Sequence, residues 1–331
     1  MSLIKLLKLT QPIQRRNYRL KNWPEYNKSL IERGSINLWY CDDLEEQWYD
    51  RSVPNEPGRS LTYSDKCIYI CLMVKVLYKL TYRQTEGHLK TLFERTGLKL
   101  KVPCYTQMSR RAASLRVPLK RLPKQGPIDL VIDSSGLKVF GEGEWKVRQH
   151  GVSKRRTWKK LHLGVDPLDN GIESVKLTPS NWTDDTVFHE VMDEVPHPID
   201  RLFGDGAYGS SDCYRQSYER HCQLITPPQK NAVVQRDEKV PWLEARDQAI
   251  VRIQELEKSV GLEETRKQWK YEMDYHQRSL GETAMFRFKR LMGNSLWSLK
   301  EKAQETEVMI KSNILNTFTS LGMPDAIPAL L

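Results

Sequence analysis

The sequence predicts an α/β chain: a mixed-sheet, three-layer domain with a helical insertion, preceded by a mainly α-helical N-terminal region. Two observations predict it. From Ile128 onward, short β-prone runs alternate with segments of helical period. Between Ser64 and about residue 115, by contrast, apolar spacing is helical throughout.

Residues 1 to about 60 carry Trp23, Trp39, Tyr40, Trp48 and Tyr49 with few periodic runs, which reads as a packed appendage. Ile68, Cys71, Leu72, Val76 and Leu80 then mark one buried helical face. A second helix is expected from Tyr82 to about Arg95, stopping before Gly97, and a third from near Tyr105, after Pro103. Gln107, Arg110 and Arg111 would be exposed on its first turns. Residues 65–115 therefore read either as a helix-turn-helix that touches DNA through Arg110 and Arg111, or as a plain helical bundle. The helical region is bounded at 1–122 and the sheet domain at 123–331.

In the sheet domain, strands are expected at 128–133, about 144–150, about 160–166, near 199–205 and near 221–226. Helices are expected at about 184–194 and at 211–219, the latter capped by Ser210 or Ser211. In the insertion, about 228–270, Ile250, Ile253, Leu256 and Val260 keep helical spacing. A last long helix is expected from about Leu296 to Leu315.

Tyr275, Arg278, Glu282 and Lys289 fall at offsets of zero, three, seven and fourteen in a segment patterned like a helix. At roughly 100° per residue they share an arc of about 60°, a single stripe of one carboxylate, two cations and a phenol. Leu280, Ala284, Phe288 and Leu291 lie opposite, while Phe286 is an apolar misfit on the polar side. The residues alone leave two readings: a solvated face with an Arg278/Glu282 ion pair, or a stripe aimed at something polar.

Tyr, two residues, Arg, three residues, Glu, six residues, Lys is also the signature of the DDE insertion-sequence transposases, and the chain resembles that family, specifically the group named for insertion sequence five. The likeness extends through Glu142-Gly143-Glu144-Trp145-Lys146, the Arg155 to Asp166 stretch and the C-terminal hundred residues. The resemblance implies a ribonuclease H-like fold and two further carboxylates at strand ends. Candidates are Asp133, closing Ile128-Asp129-Leu130-Val131-Ile132-Asp133, and Asp205 in Asp205-Gly206-Ala207-Tyr208. By pattern alone Asp129, on the same strand face as Asp133, and Asp166 compete for the first place. The family context favours Asp133.

What the resemblance implies for function follows residue by residue. Asp133, Asp205 and Glu282 would be catalytic and would hold two Mg²⁺ ions, with Mn²⁺ as a substitute: Asp133 bridging, Asp205 completing one site and Glu282 the other. Hard carboxylate oxygens suit such ions, and two ions can serve both the attacking and the leaving oxygen of a phosphodiester. Tyr275, Arg278 and Lys289 would contact DNA near the cut, Arg by a forked contact and Lys as a point charge. The partners implied are terminal inverted repeats and target DNA, gathered by a homodimer or larger assembly. Two other functions are carried alongside: an inactive, transposase-derived DNA-binding protein, and a structure-selective nuclease of the same fold. Trp145, Trp182, Trp242 and Trp269 are possible base platforms, though such residues more often pack.

Charge agrees. Fifty-two Lys plus Arg against forty-two Asp plus Glu give +10, and basic residues cluster at Arg110, Arg111, Arg116, Lys120, Arg121 and Lys124, and again at Lys154, Arg155, Arg156, Lys159 and Lys160. The second cluster is expected along the DNA path. Cys67 to Val74 is the longest apolar run and is far short of the roughly twenty residues a membrane span needs. The start lacks a secretory core. The six cysteines lack paired two-residue spacing, which argues against a zinc ribbon and for reduced thiols in a cytoplasm. The family resemblance implies a bacterial, nucleoid-associated protein.

Overall fold

A computed structural model describes residues 18–51, 62–139, 158–229, 231–235 and 240–328. It opens with strand β1 (Tyr18–Leu20), helix α1 (Trp23–Glu32) and the short α2 (Leu44–Gln47). Helix α3 (Asp65–Leu77) starts where the Ser64 hydroxyl accepts from the Cys67 amide, and α4 (Tyr82–Thr96) starts in a capping box of Thr81 and Gln84 and stops at left-handed Gly97. The two-turn α5 (Tyr105–Arg111) follows. One buried face was expected for α3. Instead every side chain from Cys67 to Val74 except Tyr69 is buried, because the helix lies between neighbours rather than at the surface.

The sheet is built on β2 (Ile128–Val139), β3 (Trp158–Val165) and β4 (Ile172–Pro179); after α6 (Asp184–Asp193) come β5 (Ile199–Phe203), α7 (Ser211–Glu219) and β6 (Gln223–Ile225). Strand order is β4-β3-β2-β5-β6, with β3 antiparallel to both β2 and β4, and with β5 parallel to both β2 and β6. This is the ribonuclease H-like arrangement. Two expectations change. The strand carrying Asp133 does not finish there: Ser134 to Lys138 continue the ladder against His162 to Trp158, so Asp133 sits mid-strand. β4 escaped the sequence reading, since Glu173, Ser174 and Lys176 disrupt its apolar pattern. The strand expected at about 144–150 lies outside the described residues.

Alternation along β2 sends Leu130 and Ile132 into a core with α6 and α7, and Val131 into another with the insertion. The insertion is helical as expected: α8 (Glu244–Val260) and α9 (Leu262–Glu272) form a pair. α10 (Ser279–Met292), the short β7 (Ser295–Leu296), α11 (Glu301–Leu321) and β8 (Ala326–Pro328) complete the chain, with β8 pairing to β1.

Helix α11 starts and ends later than the expected 296–315, and it is buried nearly all round. Val308 and Leu315 pack on the sheet and α10, whereas Ala303, Ile310, Ile314 and Phe318 pack with α3, α4 and α5. Several of its buried polar side chains bond to backbone. Asn316 accepts from the Ile172 amide (2.8 Å) and donates to the Ile172 and Lys120 carbonyls, and Asn313 accepts from the Lys120 amide (2.7 Å). Residues on both sides of position 122 thus share one core through α11.

Candidate active site

Val131 and Asp133 face α10, and the approach is close because residue 281 is glycine. A Cβ there would lie 2.8 Å from Val131 Cγ1 and 3.1 Å from the Asp133 Cβ. The next residue along α10 is Glu282, so the same contact that seats the helix sets Glu282 beside Asp133. Asp205 caps a single 3-10 turn immediately after β5. Its Oδ1 accepts from the Ala207 amide (2.9 Å) and its carbonyl accepts from the Thr226 hydroxyl (2.7 Å).

The three carboxylates face one guanidinium. Arg278 Nη2 is 3.5 Å from Asp133 Oδ1 and 3.9 Å from Asp205 Oδ2, and Nη1 bonds Glu282 Oε1. Their side chains are 14%, 45% and 58% exposed in that order, so the cluster runs from the sheet outward to solvent. Burial raises the Asp133 pKa, against the lowering effects of Arg278 and a backbone bond at Ser134; Glu282 and Asp205 push it up further.

The stripe expected on one helix is in fact split. Asp274 takes a left-handed conformation (φ 51°), Tyr275–Arg278 form a 3-10 turn, and the α-helix begins at Ser279. Tyr275 is turned inward: its ring packs on Trp269, and its hydroxyl donates to the Gly204 carbonyl (3.0 Å), next to Asp205. Burial pushes the phenol up to about 12, so it stays protonated. Tyr275 therefore ties the turn to the end of β5, its side chain largely buried while it borders the cleft beside Arg278. Lys289 donates to the Ser135 hydroxyl on β2, two residues beyond Asp133. Ala284 and Phe288 are buried as expected; Phe286 stands 67% exposed.

The competing aspartates are engaged elsewhere. Asp129 is gripped by Arg201, whose Nε lies 3.1 Å from Asp129 Oδ2 and whose Nη1 reaches Asp274 (3.1 Å). Asp166 is buried against Lys124 (2.6 Å), which also holds Asp169 and Glu173. Neither faces Arg278. In the N-terminal region Arg110 is exposed, whereas Arg111 donates to the Tyr63 carbonyl (2.9 Å) and pairs with Asp65. Within the second basic cluster, Lys159 pairs with Glu301 and Lys160 with Asp184 (2.9 Å); Lys154, Arg155, Arg156 and Trp145 lie outside the described residues. Trp269 is buried and Trp182 is 40% exposed. Sequence reasoning missed Gly281, whose only signal was a glycine adjoining the motif's glutamate.

Two family models, each described as a transposase DDE domain, match residues 31–142 and 124–317. The chain belongs to the DDE transposases. The longer match covers more than half of it and contains all three carboxylates. Solved structures similar to the transposase include the Drosophila P element transposase strand transfer complex, at 7% identity over 88% of this chain and 86% of that one, with a TM-score of 0.29. Another is the simian T-cell lymphotropic virus intasome in complex with PP2A regulatory subunit B56 gamma, at 13% identity over 67% and 74%, with a TM-score of 0.23. Overlap that loose carries nothing about the site.

Membership makes the transposase a DNA-cleaving and strand-transferring enzyme of a class that uses divalent metal ions. The donor set fits such an ion: three hard-oxygen side chains from three elements face one positive group. Among the described residues no three His, Cys, Asp or Glu side chains already form an ion cage, and the triad's carboxylates are each within ion-pair distance of Arg278. No helix among them is long and apolar enough to cross a membrane, and all six cysteines are free thiols.

Proposed function

We propose that Asp133, Asp205 and Glu282 are the catalytic, metal-binding residues of a transposase that cuts at the terminal inverted repeats of its element and joins the released ends to target DNA. The observation that carries this reading is the meeting of the three side chains around Arg278 from β2, the end of β5 and α10. Magnesium is the metal we assign, two ions per site with Mn²⁺ as a substitute. When bound, they would polarise the phosphodiester and lower the pKa of the attacking water.

The protein's part is to hold and orient. Asp133, fixed mid-strand and largely buried, is the rigid ligand. Asp205 is held by its own cap, and Glu282 is carried on the first turn of α10 beside Gly281. Arg278 and Lys289, on the same side as Glu282, are assigned to the scissile strand's phosphates. Arg110, exposed on α5, and its neighbour Arg111 are assigned to recognition of the element ends, with two protomers or more holding a pair of ends together. The chain's +10 charge supports polyanion binding on bacterial DNA in the cytoplasm.

Glu282→Gln tests the assignment. It should abolish Mg²⁺-dependent cleavage of DNA carrying the element's ends while retaining binding to those ends. Loss of binding without a separate cleavage defect would remove Glu282 from the ligand set. In the unsubstituted chain, cutting of branched DNA without preference for the ends would instead favour a structure-selective nuclease, and end binding without cutting would favour an inactive, transposase-derived DNA-binding protein.

A further inference from the structure

We infer that Arg278 is an exchangeable counter-ion: without divalent ions its guanidinium holds the triad together, and ion binding drives it out into the neighbouring cleft. The inference rests on the reading of Asp133, Asp205 and Glu282 as metal ligands. It adds that metal entry is a competition with a resident positive charge.

Three observations carry it. The guanidinium is within ion-pair distance of all three carboxylates, the only positive side chain among the described residues that reaches any of them. Its Nε is buried without a hydrogen-bond partner, so carboxylates alone retain the head group at this depth. Finally, Arg278 also lines an open cleft of about 660 Å³ beside the triad, together with Lys267, Lys270, Tyr271 and His276. Tyr271 is 79% exposed there.

The balance between the two places follows from charge. Three carboxylates attract a single guanidinium, while the cleft offers it Lys270 and a Lys267 already paired with Glu264 (2.8 Å) but no carboxylate among its described lining residues. Divalent ions reverse the first term, because they bring more charge in a smaller volume and leave Arg278 facing like charge. A phosphate of bound DNA reverses the second, because the cleft then holds an anion for the guanidinium to fork onto. Metal and scissile strand should consequently assist each other's binding through one side chain, and each alone must displace Arg278 at a cost in apparent affinity.

The test is Mn²⁺ binding to the DNA-free full chain, followed by electron paramagnetic resonance titration, with thermal melting in parallel. Arg278→Ala should bind Mn²⁺ about tenfold more tightly than the native chain, since the competing ion is gone. Without metal it should melt lower than the native chain, and it should gain more from added Mn²⁺. Arg278→Lys should fall between the two, and Arg278→Gln serves if the alanine variant does not fold. Unchanged or weaker Mn²⁺ affinity in the alanine and glutamine variants would overturn the inference. The reading beneath it fails differently: Mn²⁺ affinity indifferent to Asp133→Asn would show that the triad is not the metal site.

Discussion

Replacing Gly281 with alanine adds one methyl group at the tightest point between α10 and β2. Its carbon would fall 2.8 Å from Val131 Cγ1, where carbon atoms ordinarily settle at about 3.5 to 4.0 Å. Val131 is fully buried and Asp133 is pinned in a ladder, so the helix must retreat by roughly 1 Å. Overpacking of this kind costs about 1 to 3 kcal/mol, and the gain from alanine over glycine in a helix returns at most about 1 kcal/mol. The net stability loss should then be about 0 to 2 kcal/mol. Cleavage should suffer far more, because Glu282 retreats with the helix, and a misplacement near 1 Å can cost about 100-fold. Gly87→Ala is the control: Gly87 lies in exposed α4 with nothing within 4 Å of an added Cβ. It should gain about 0.5 to 1 kcal/mol with cleavage unchanged. Urea melts and cleavage time courses on the two variants decide the matter. A Gly281→Ala enzyme that cuts at the native rate would refute the claim that this contact positions Glu282.

Two further outcomes follow from buried charge. His162 is fully buried on β3, and burial pushes its pKa from the ordinary 6.5 down to about 4 despite nearby Asp184. Because the folded value is depressed, its contribution is intact above about pH 6.5 and lost as pH falls toward 4, up to about 3 kcal/mol. His162→Gln should flatten that acid limb in urea melts between pH 7 and 4; an unaltered slope would assign the acid sensitivity elsewhere. Lys124, only 5% exposed, neutralises Asp166 and Glu173. Lys124→Met should destabilise by about 3 to 5 kcal/mol by leaving buried carboxylates unpaired, and Glu173→Gln added to it should recover part of the loss. Additivity of the two changes in denaturant melts would contradict that coupling.

The polar stripe was legible in the sequence for a physical reason that survived an error about its backbone. Arg278 already has α-helical backbone angles (φ −53°, ψ −32°) as the residue before Ser279, so it meets Glu282 at four-residue spacing although the 3-10 turn precedes it. The burial of Tyr275 was not legible because a phenol suits either a wet face or an apolar pocket, and Trp269 and the Gly204 carbonyl engage it only through tertiary contact. The same applies to Asp129 and Asp166, which pattern alone could not demote: Arg201 and Lys124 are distant in sequence and adjacent only after folding. β4 was illegible because the Glu173 and Ser174 side chains, polar by composition, are buried in it. The extent of β2 depended on its partner β3, which the run up to Asp133 does not encode.

The position of α11 also bears on how the protein is made. Residues 301–321 are synthesised late, yet they form the wall that both the early helices and the sheet lean on. While that segment remains inside the ribosome, the early helices and the sheet lack the helix against which both pack. A chain stopped before residue 301 should therefore leave the apolar faces that pack on α11 open to solvent and to proteolysis.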